Sequence, residues 1–152
     1  MPFAAAAYYK KWTPPVLTAI EVLSERLAEV ERVAGRLGLR GYLHPIRHDL
    51  RGASKLLPPE AIPLDLAFVD AGLYEAFVAE YWGTVSPDGG TVLFHDPFND
   101  DDGRAFVAAL GSNDELAERM GPFEVLTLVE PHKTRQNAIL VLRRTVPVAP
   151  SP

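Results

Sequence analysis

The sequence contains no cysteine. Disulfides, thiolate metal sites and cysteine nucleophiles are therefore excluded, and nothing points to an oxidising compartment. No apolar run approaches the roughly 18 residues that a membrane span needs. The opening "MPFAAAAYY" lacks a basic region ahead of its apolar patch, unlike a secretory signal. A cytoplasmic protein with no membrane partner is the expectation. A basic stripe is missing too: 15 Lys and Arg stand against 20 Asp and Glu and are scattered, so no nucleic-acid partner is expected. Glycine is absent from the first 34 residues, Gly35 being the first.

What is present reads as one domain. A chain of 152 residues, 47% apolar and 23% charged, can build one sizeable core. Proline pairs at Pro14-Pro15 and Pro58-Pro59 and the tail "VPVAPSP" punctuate it. Residues 1–15 form an N-terminal segment, 16–144 the folded domain, and 145–152 a Pro-rich tail with too little to bury to be ordered.

In "VLTAIEVLSERLAEVERVAGRLG", Leu23, Leu27, Val30, Ala34 and Leu37 keep helical spacing. Ser24 suits the helix start and Gly38 its exit. The preceding "VLTAIE" is a short buried strand or the first turns of that helix, and periodicity does not separate the two. "GYLHPIRHD" is a weak strand whose Pro45 places it near an edge. "LDLAFVD" is a stronger strand, followed by a helix with Tyr74, Phe77, Val78, Tyr81 and Trp82 on one stripe. That aromatic set reads as core. "SPDGG" is a turn, "TVLFHD" a buried strand, and "GRAFVAALGSNDELAERMG" two helices broken near Gly111 and Ser112. "FEVLTLVE" and "NAILVLRR" are strands joined closely enough by "PHKTRQ" for an antiparallel hairpin. Apolar strands alternating with amphipathic helices imply an α/β sandwich with a mostly parallel sheet.

In such a sheet, ligands bind beyond the carboxyl ends of the strands. Four strand ends here carry acid: Glu21, Asp49, Asp70 and Asp96. For any one of them, capping a helix or turn is an equally good account.

The stretch "LDLAFVDAGLYEAFVAEYWGTVSPDGGTVLFHDPF" resembles the fourth and fifth strands of class I SAM-dependent O-methyltransferases. That family shows an apolar strand ending in Asp, a helix, a Pro-x-Gly-Gly turn and a strand ending in acid. "TAIEVLSERLAEVERVAGRLGL" is similar to the family's second strand and helix, and "IRHDL" to the region of its adenine-side Asp. "FEVLTLVEPHKTRQNAILVLRR" resembles the final strand pair. The resemblance implies a Rossmann-like three-layer fold over residues 16–144, with a C-terminal antiparallel strand pair. It implies S-adenosylmethionine as cofactor, with Glu21 on the ribose, Asp49 on the adenine and Asp70 at the centre of the site. It also implies methyl transfer to a small-molecule hydroxyl. The family's first strand and glycine-rich loop have no counterpart, so the fold is expected to be N-terminally truncated relative to the family. The alternative is a non-catalytic relic of that fold, acting as an interaction module that self-associates into a homodimer or binds a partner.

His95 and Asp96 admit three readings. A neutral imidazole, with an ordinary pKa near 6.5, suits a general base taking a hydroxyl proton. Asp70 and Asp96 together suit a hard cation such as Mg2+, as in some O-methyltransferases. There the residue after the second Asp is an Asn ligand, whereas this chain has Pro97. The third reading is a pair that only stabilises its loop. "NDDDG" partly resembles a calcium loop without the distal Glu, and reads better as a solvated cap in which Asp102 meets the next helix's dipole. Tyr8, Tyr9 and Trp12 are expected to pack on a sheet edge or another subunit.

Overall fold

The computed structural model describes residues 15–112, 114–129 and 138–146. The expectations for Tyr8, Tyr9 and Trp12, for the loop of residues 130–137 and for most of the tail fall outside them.

"LTAIE" is a strand, β1 (Leu17–Glu21), which settles the alternative left open by periodicity. Helix α1 (Ser24–Arg36) follows. Ser24 does not cap it: Leu23 holds the N-cap position, and the Ser24 hydroxyl faces Glu25 instead. The carboxylate of Glu21 takes the Leu23 amide at 2.9 Å, so the strand's last acid tidies the entry. Gly38, at φ 71°, closes the helix as expected, with Leu39 N–H donating to Ala34 and Gly38 N–H to Gly35. Strand β2 (Leu43–Arg47) pairs parallel with β1 at an edge, which tolerates the missing amide of Pro45.

The second piece of sheet has the order β3-β4-β6-β5. Strands β3 (Leu66–Val69) and β4 (Thr91–His95) are parallel and flank helix α2 (Tyr74–Tyr81). Helices α3 (Asp101–Ser112) and α4 (Asp114–Met120) separate after Ser112. They lead to β5 (Phe123–Val129) and β6 (Ala138–Arg144), which pair antiparallel, and β6 also pairs antiparallel with β4. No helix among the described residues is long and apolar enough to cross a membrane.

One face of this sheet makes the core. Val69, Val92, Phe94, Leu140 and Leu142 are buried against Tyr74, Phe77, Val78 and Tyr81 of α2 and Phe106 of α3. The Phe94 ring meets Tyr74, Phe77 and Phe106 edge-on at 5.5–5.6 Å. Burying each such ring stabilises by about 2–3 kcal/mol. The aromatic stripe is therefore core, as its spacing suggested. The opposite face is open: Leu66, Phe68, Leu126 and Leu128 are exposed. Helix α1 is likewise half covered, burying Leu27 and Ala34 but leaving Val30 and Leu37 exposed.

Candidate functional site

Two parallel strands, β3 and β4, end side by side, and the residues just beyond them build the site. Asp70 follows β3, while His95 ends β4 and Asp96 comes next. The register sets Val69 beside Phe94, one residue short of each functional group. This brings Asp70 Oδ1 to 2.9 Å from His95 Nδ1. On the other side of the ring, His95 Nε2 lies 3.7 Å from Asp96 Oδ1. One imidazole is thus bracketed by two carboxylates. The Asp70 side chain is 65% exposed, His95 35% and Asp96 21%, so the ring opens to solvent while Asp96 is more enclosed.

Asp96 adopts φ 52°, the left-handed region. Among residues with a Cβ, Asp and Asn tolerate this conformation best, and such an outlier marks sites of functional interest. Its surroundings fix it twice over. Its amide donates to the Ala138 carbonyl at 2.8 Å, and its Oδ1 accepts the Ala138 amide at 3.3 Å. Strand β6 therefore pins the turn that presents His95.

Two residues that sequence reasoning did not assign to the site support it. Tyr74, buried at the start of α2, donates its hydroxyl to the His95 carbonyl at 3.2 Å. Burial first, then the charges of Asp100, Asp96 and Asp70, push its phenol above the ordinary range, so it stays a neutral donor. Gly103 sits in the first turn of α3, where a Cβ would meet the Pro97 carbonyl oxygen at 2.1 Å. Only glycine lets the helix press so closely on the His95–Pro97 turn. The signal for Gly103 was in plain view as the last letter of "NDDDG", but that glycine serves a helix contact.

The acids of that motif resolve as expected. Asp100 precedes α3 and caps it, accepting the Gly103 amide at 2.7 Å. Asp101 and Asp102 occupy the first turn, where the helix dipole favours negative charge, and Asp101 pairs with Arg104. The magnesium expectation on Asp70 and Asp96 finds no support. Among the described residues no group of three or more His, Asp or Glu side chains is placed to hold a metal ion. Asp70 instead engages His95, and Asp96 engages the amide of Ala138.

Glu21 is the last residue of β1, and Asp49 follows the end of β2 by two residues. The strand register sets Glu21 beside Arg47, and the Glu21 carbonyl accepts the His48 amide at 3.2 Å. Asp49 Oδ1 accepts the Arg51 amide at 2.8 Å, a local turn of the kind favoured by Asp. Helix α2 clamps the loop that follows: Glu80 accepts the amides of Gly52 at 2.7 Å and Ser54 at 3.0 Å, and Tyr81 donates to the Leu50 carbonyl at 2.6 Å. The structure thus joins Asp70 to His95, while Glu21 and Asp49 each hold a nearby backbone amide. Tyr74 at the start of α2 holds the His95 carbonyl, and Glu80 and Tyr81 at its end hold the loop that follows Asp49.

No family model matches this chain, and no curated protein matches it in sequence. Comparison with solved structures does find the fold. An rRNA methylase from Streptococcus thermophilus superposes with a TM-score of 0.65 at 13% identity, over 85% of this chain and 72% of that one. The O-methyltransferase TomG from Streptomyces achromogenes, solved with SAM, gives 0.62 at 14% identity, over 88% and 64%. An O-methyltransferase from Bacillus cereus, in complex with SAH, gives 0.61 at 13% identity, over 85% and 62%. The chain therefore spans about two thirds of the length of these neighbours. It has the Rossmann-like α/β fold found in class I methyltransferases.

Proposed function

We propose that this chain is a SAM-dependent methyltransferase-type domain that transfers a methyl group to a hydroxyl of a small molecule. The observation that carries the reading is the Asp70–His95 contact at 2.9 Å, beyond the carboxyl ends of two parallel strands. The described residues fit the nucleoside half of the cofactor. Glu21 and Asp49 each spend one carboxylate oxygen on a backbone amide, and each has a second oxygen to offer a ribose hydroxyl or the adenine amine. No glycine-rich turn stands among them for the methionine half, because no glycine precedes Gly35.

The cofactor, when bound, supplies an electrophilic methyl group. The protein's own part is proton handling. Asp70 holds the Nδ1–H tautomer of His95, which leaves the Nε2 lone pair free to take the acceptor's hydroxyl proton. The imidazolium so formed lies between the carboxylates of Asp70 and Asp96, which stabilise its charge. Tyr74 fixes the His95 backbone without competing for the proton.

Isothermal calorimetry with SAM tests the reading. Saturable binding is expected, weakened by Glu21→Ala, and no heat of binding at millimolar SAM would sink it.

A second reading, a methyltransferase fold serving as an interaction module, is favoured by the uncovered apolar face of the β3-β4-β6-β5 sheet. Turnover of SAM by a monomer in light scattering would rule it out.

A further inference from the structure

Strand β5 forms an edge. Among the described residues it pairs only with β6, and its seven residues run in unbroken register without a bulge. Natural edge strands are usually blunted by proline, lysine, a bulge or short length. Strand β2 has such a device in Pro45, but "FEVLTLV" has none. Side chains on both faces of β5 stand half open. Val125 and Val129, on the side shared with Leu142, and Leu126 and Leu128, on the other, are 48–56% exposed.

Two hydrogen bonds show which backbone groups of β5 face outward. The Thr145 amide donates to the Pro122 carbonyl at 3.1 Å, while the Arg144 amide turns the other way, to the Gly90 carbonyl at 3.0 Å. Hydrogen-bonded and non-bonded pairs alternate along an antiparallel ladder. Glu124, Leu126 and Leu128 therefore direct their backbone at β6, and Phe123, Val125, Thr127 and Val129 direct theirs away from the sheet. Among the described residues, those outward amides and carbonyls meet no other strand.

We propose that this edge binds β5 of a second copy of the chain, joining two sheets into one across a two-fold axis at Leu126. An axis perpendicular to the sheet makes the two edges antiparallel, with the same patch used on both sides. It sets Val125 opposite the partner's Thr127 and Phe123 opposite the partner's Val129. Every outward residue then faces another outward residue, and each pair exchanges two backbone hydrogen bonds. An axis at Val125 or at Thr127 leaves one outward residue of β5 unmatched. Glu124, the single charge on the strand, lies 3.6 Å from Arg143 of its own chain and falls opposite the partner's Leu128, so no like charges meet. This self-matching of backbone groups and charge selects a second copy over an unlike strand. Strand β6 separates the contact from β4 and His95, so the dimer stands apart from the functional reading.

Sedimentation equilibrium of the full chain tests this. A contact of one strand per copy lies at the small end of interface sizes, so a reversible dimer is expected at about 100 µM. Thr127→Pro removes an amide that serves the interface and not β6, and should weaken association about tenfold or more. The chain has no cysteine of its own, which makes a second measurement clean. At the axis, Leu126 faces its own copy in a non-hydrogen-bonded pair, with Cα atoms about 4.5 Å apart, within disulfide reach. Oxidation should therefore link Leu126→Cys chains into covalent dimers, and Leu128→Cys chains several-fold less. A monomer at that concentration, association indifferent to Thr127→Pro, or linkage at position 128 equal to that at 126 would overturn the proposal. Should Thr127→Pro fail to fold, the two cysteine variants decide the matter. None of these readouts depends on SAM, so failure here and failure of SAM binding are distinct results.

Discussion

His95 Nδ1 lies 2.9 Å from Asp70 Oδ1, at the ends of two parallel strands, although the two residues are 25 apart in sequence. If this contact orients a general base, Asp70→Asn removes the charge with little change of shape. The variant is expected to lose about 10²-fold or more in kcat, as general-base catalysis is worth about 10²–10⁴, while its Kd for SAM moves less than threefold. Initial rates and calorimetry on the same variant check this. Equal losses in binding and turnover would assign Asp70 to the cofactor instead.

Gly103 allows α3 to touch the turn that carries His95 and Asp96. Gly103→Ala places a methyl 2.1 Å from the Pro97 carbonyl oxygen, a distance that cannot be kept. Overpacking of this kind costs about 1–3 kcal/mol. Urea denaturation should show that loss, and turnover should fall as well, because the turn must shift. A variant as stable as the parent would mean that the helix slides away freely.

The left-handed backbone of Asp96 sorts its substitutions. Asp96→Asn keeps both the tolerance for φ 52° and an oxygen for the Ala138 amide, and should stay within about 1 kcal/mol of the parent. Asp96→Val loses both and should cost about 2 kcal/mol or more. Thermal melts of the two variants side by side decide the matter; equal stabilities would show that neither the conformation nor the hydrogen bond is needed.

Glu80 couples the Asp49 loop to α2 and gives that coupling a pH dependence. Burial raises its pKa, but hydrogen bonds from Ser54 and Gly52 outweigh this and hold it below the ordinary 4.5. A depressed carboxylate pKa adds stability that is present above the unfolded value and lost as pH falls through the folded value. The parent should therefore lose stability below about pH 4.5, and Glu80→Gln should flatten that part of the acid limb. Denaturation curves at several pH values between neutrality and pH 3 read this directly, and identical acid limbs would refute it. Hydrogen exchange at the Gly52 and Ser54 amides should quicken in the same variant.

Much of the architecture was legible because it is local. The stripe from Tyr74 to Trp82 is buried as its helical spacing implied, "SPDGG" turns between α2 and β4, and the chain breaks between α3 and α4 after Ser112. Ser24 was misassigned as the cap of α1, since the helix starts one residue earlier: the Leu23 carbonyl already accepts the Leu27 amide, which leaves Ser24 as the first helical residue. The magnesium reading gained no support: one oxygen of Asp70 meets His95 and one of Asp96 meets the Ala138 amide, and among the described residues no group of three or more acidic or histidine side chains is placed to hold a metal ion.

The sequence by itself determined which residues stand at strand ends, because alternation of apolar runs and turn residues is written in neighbouring positions. It also carried the absence of an early glycine-rich turn. The tertiary structure alone decided that Asp70 reaches His95, that Asp96 is twisted onto β6, and that Leu66, Phe68, Leu126 and Leu128 are left exposed on one sheet face. Those facts depend on ladder register and on which surfaces meet. An apolar residue reads the same in sequence whether it is buried or exposed, so only the assembled sheet shows which of them are covered.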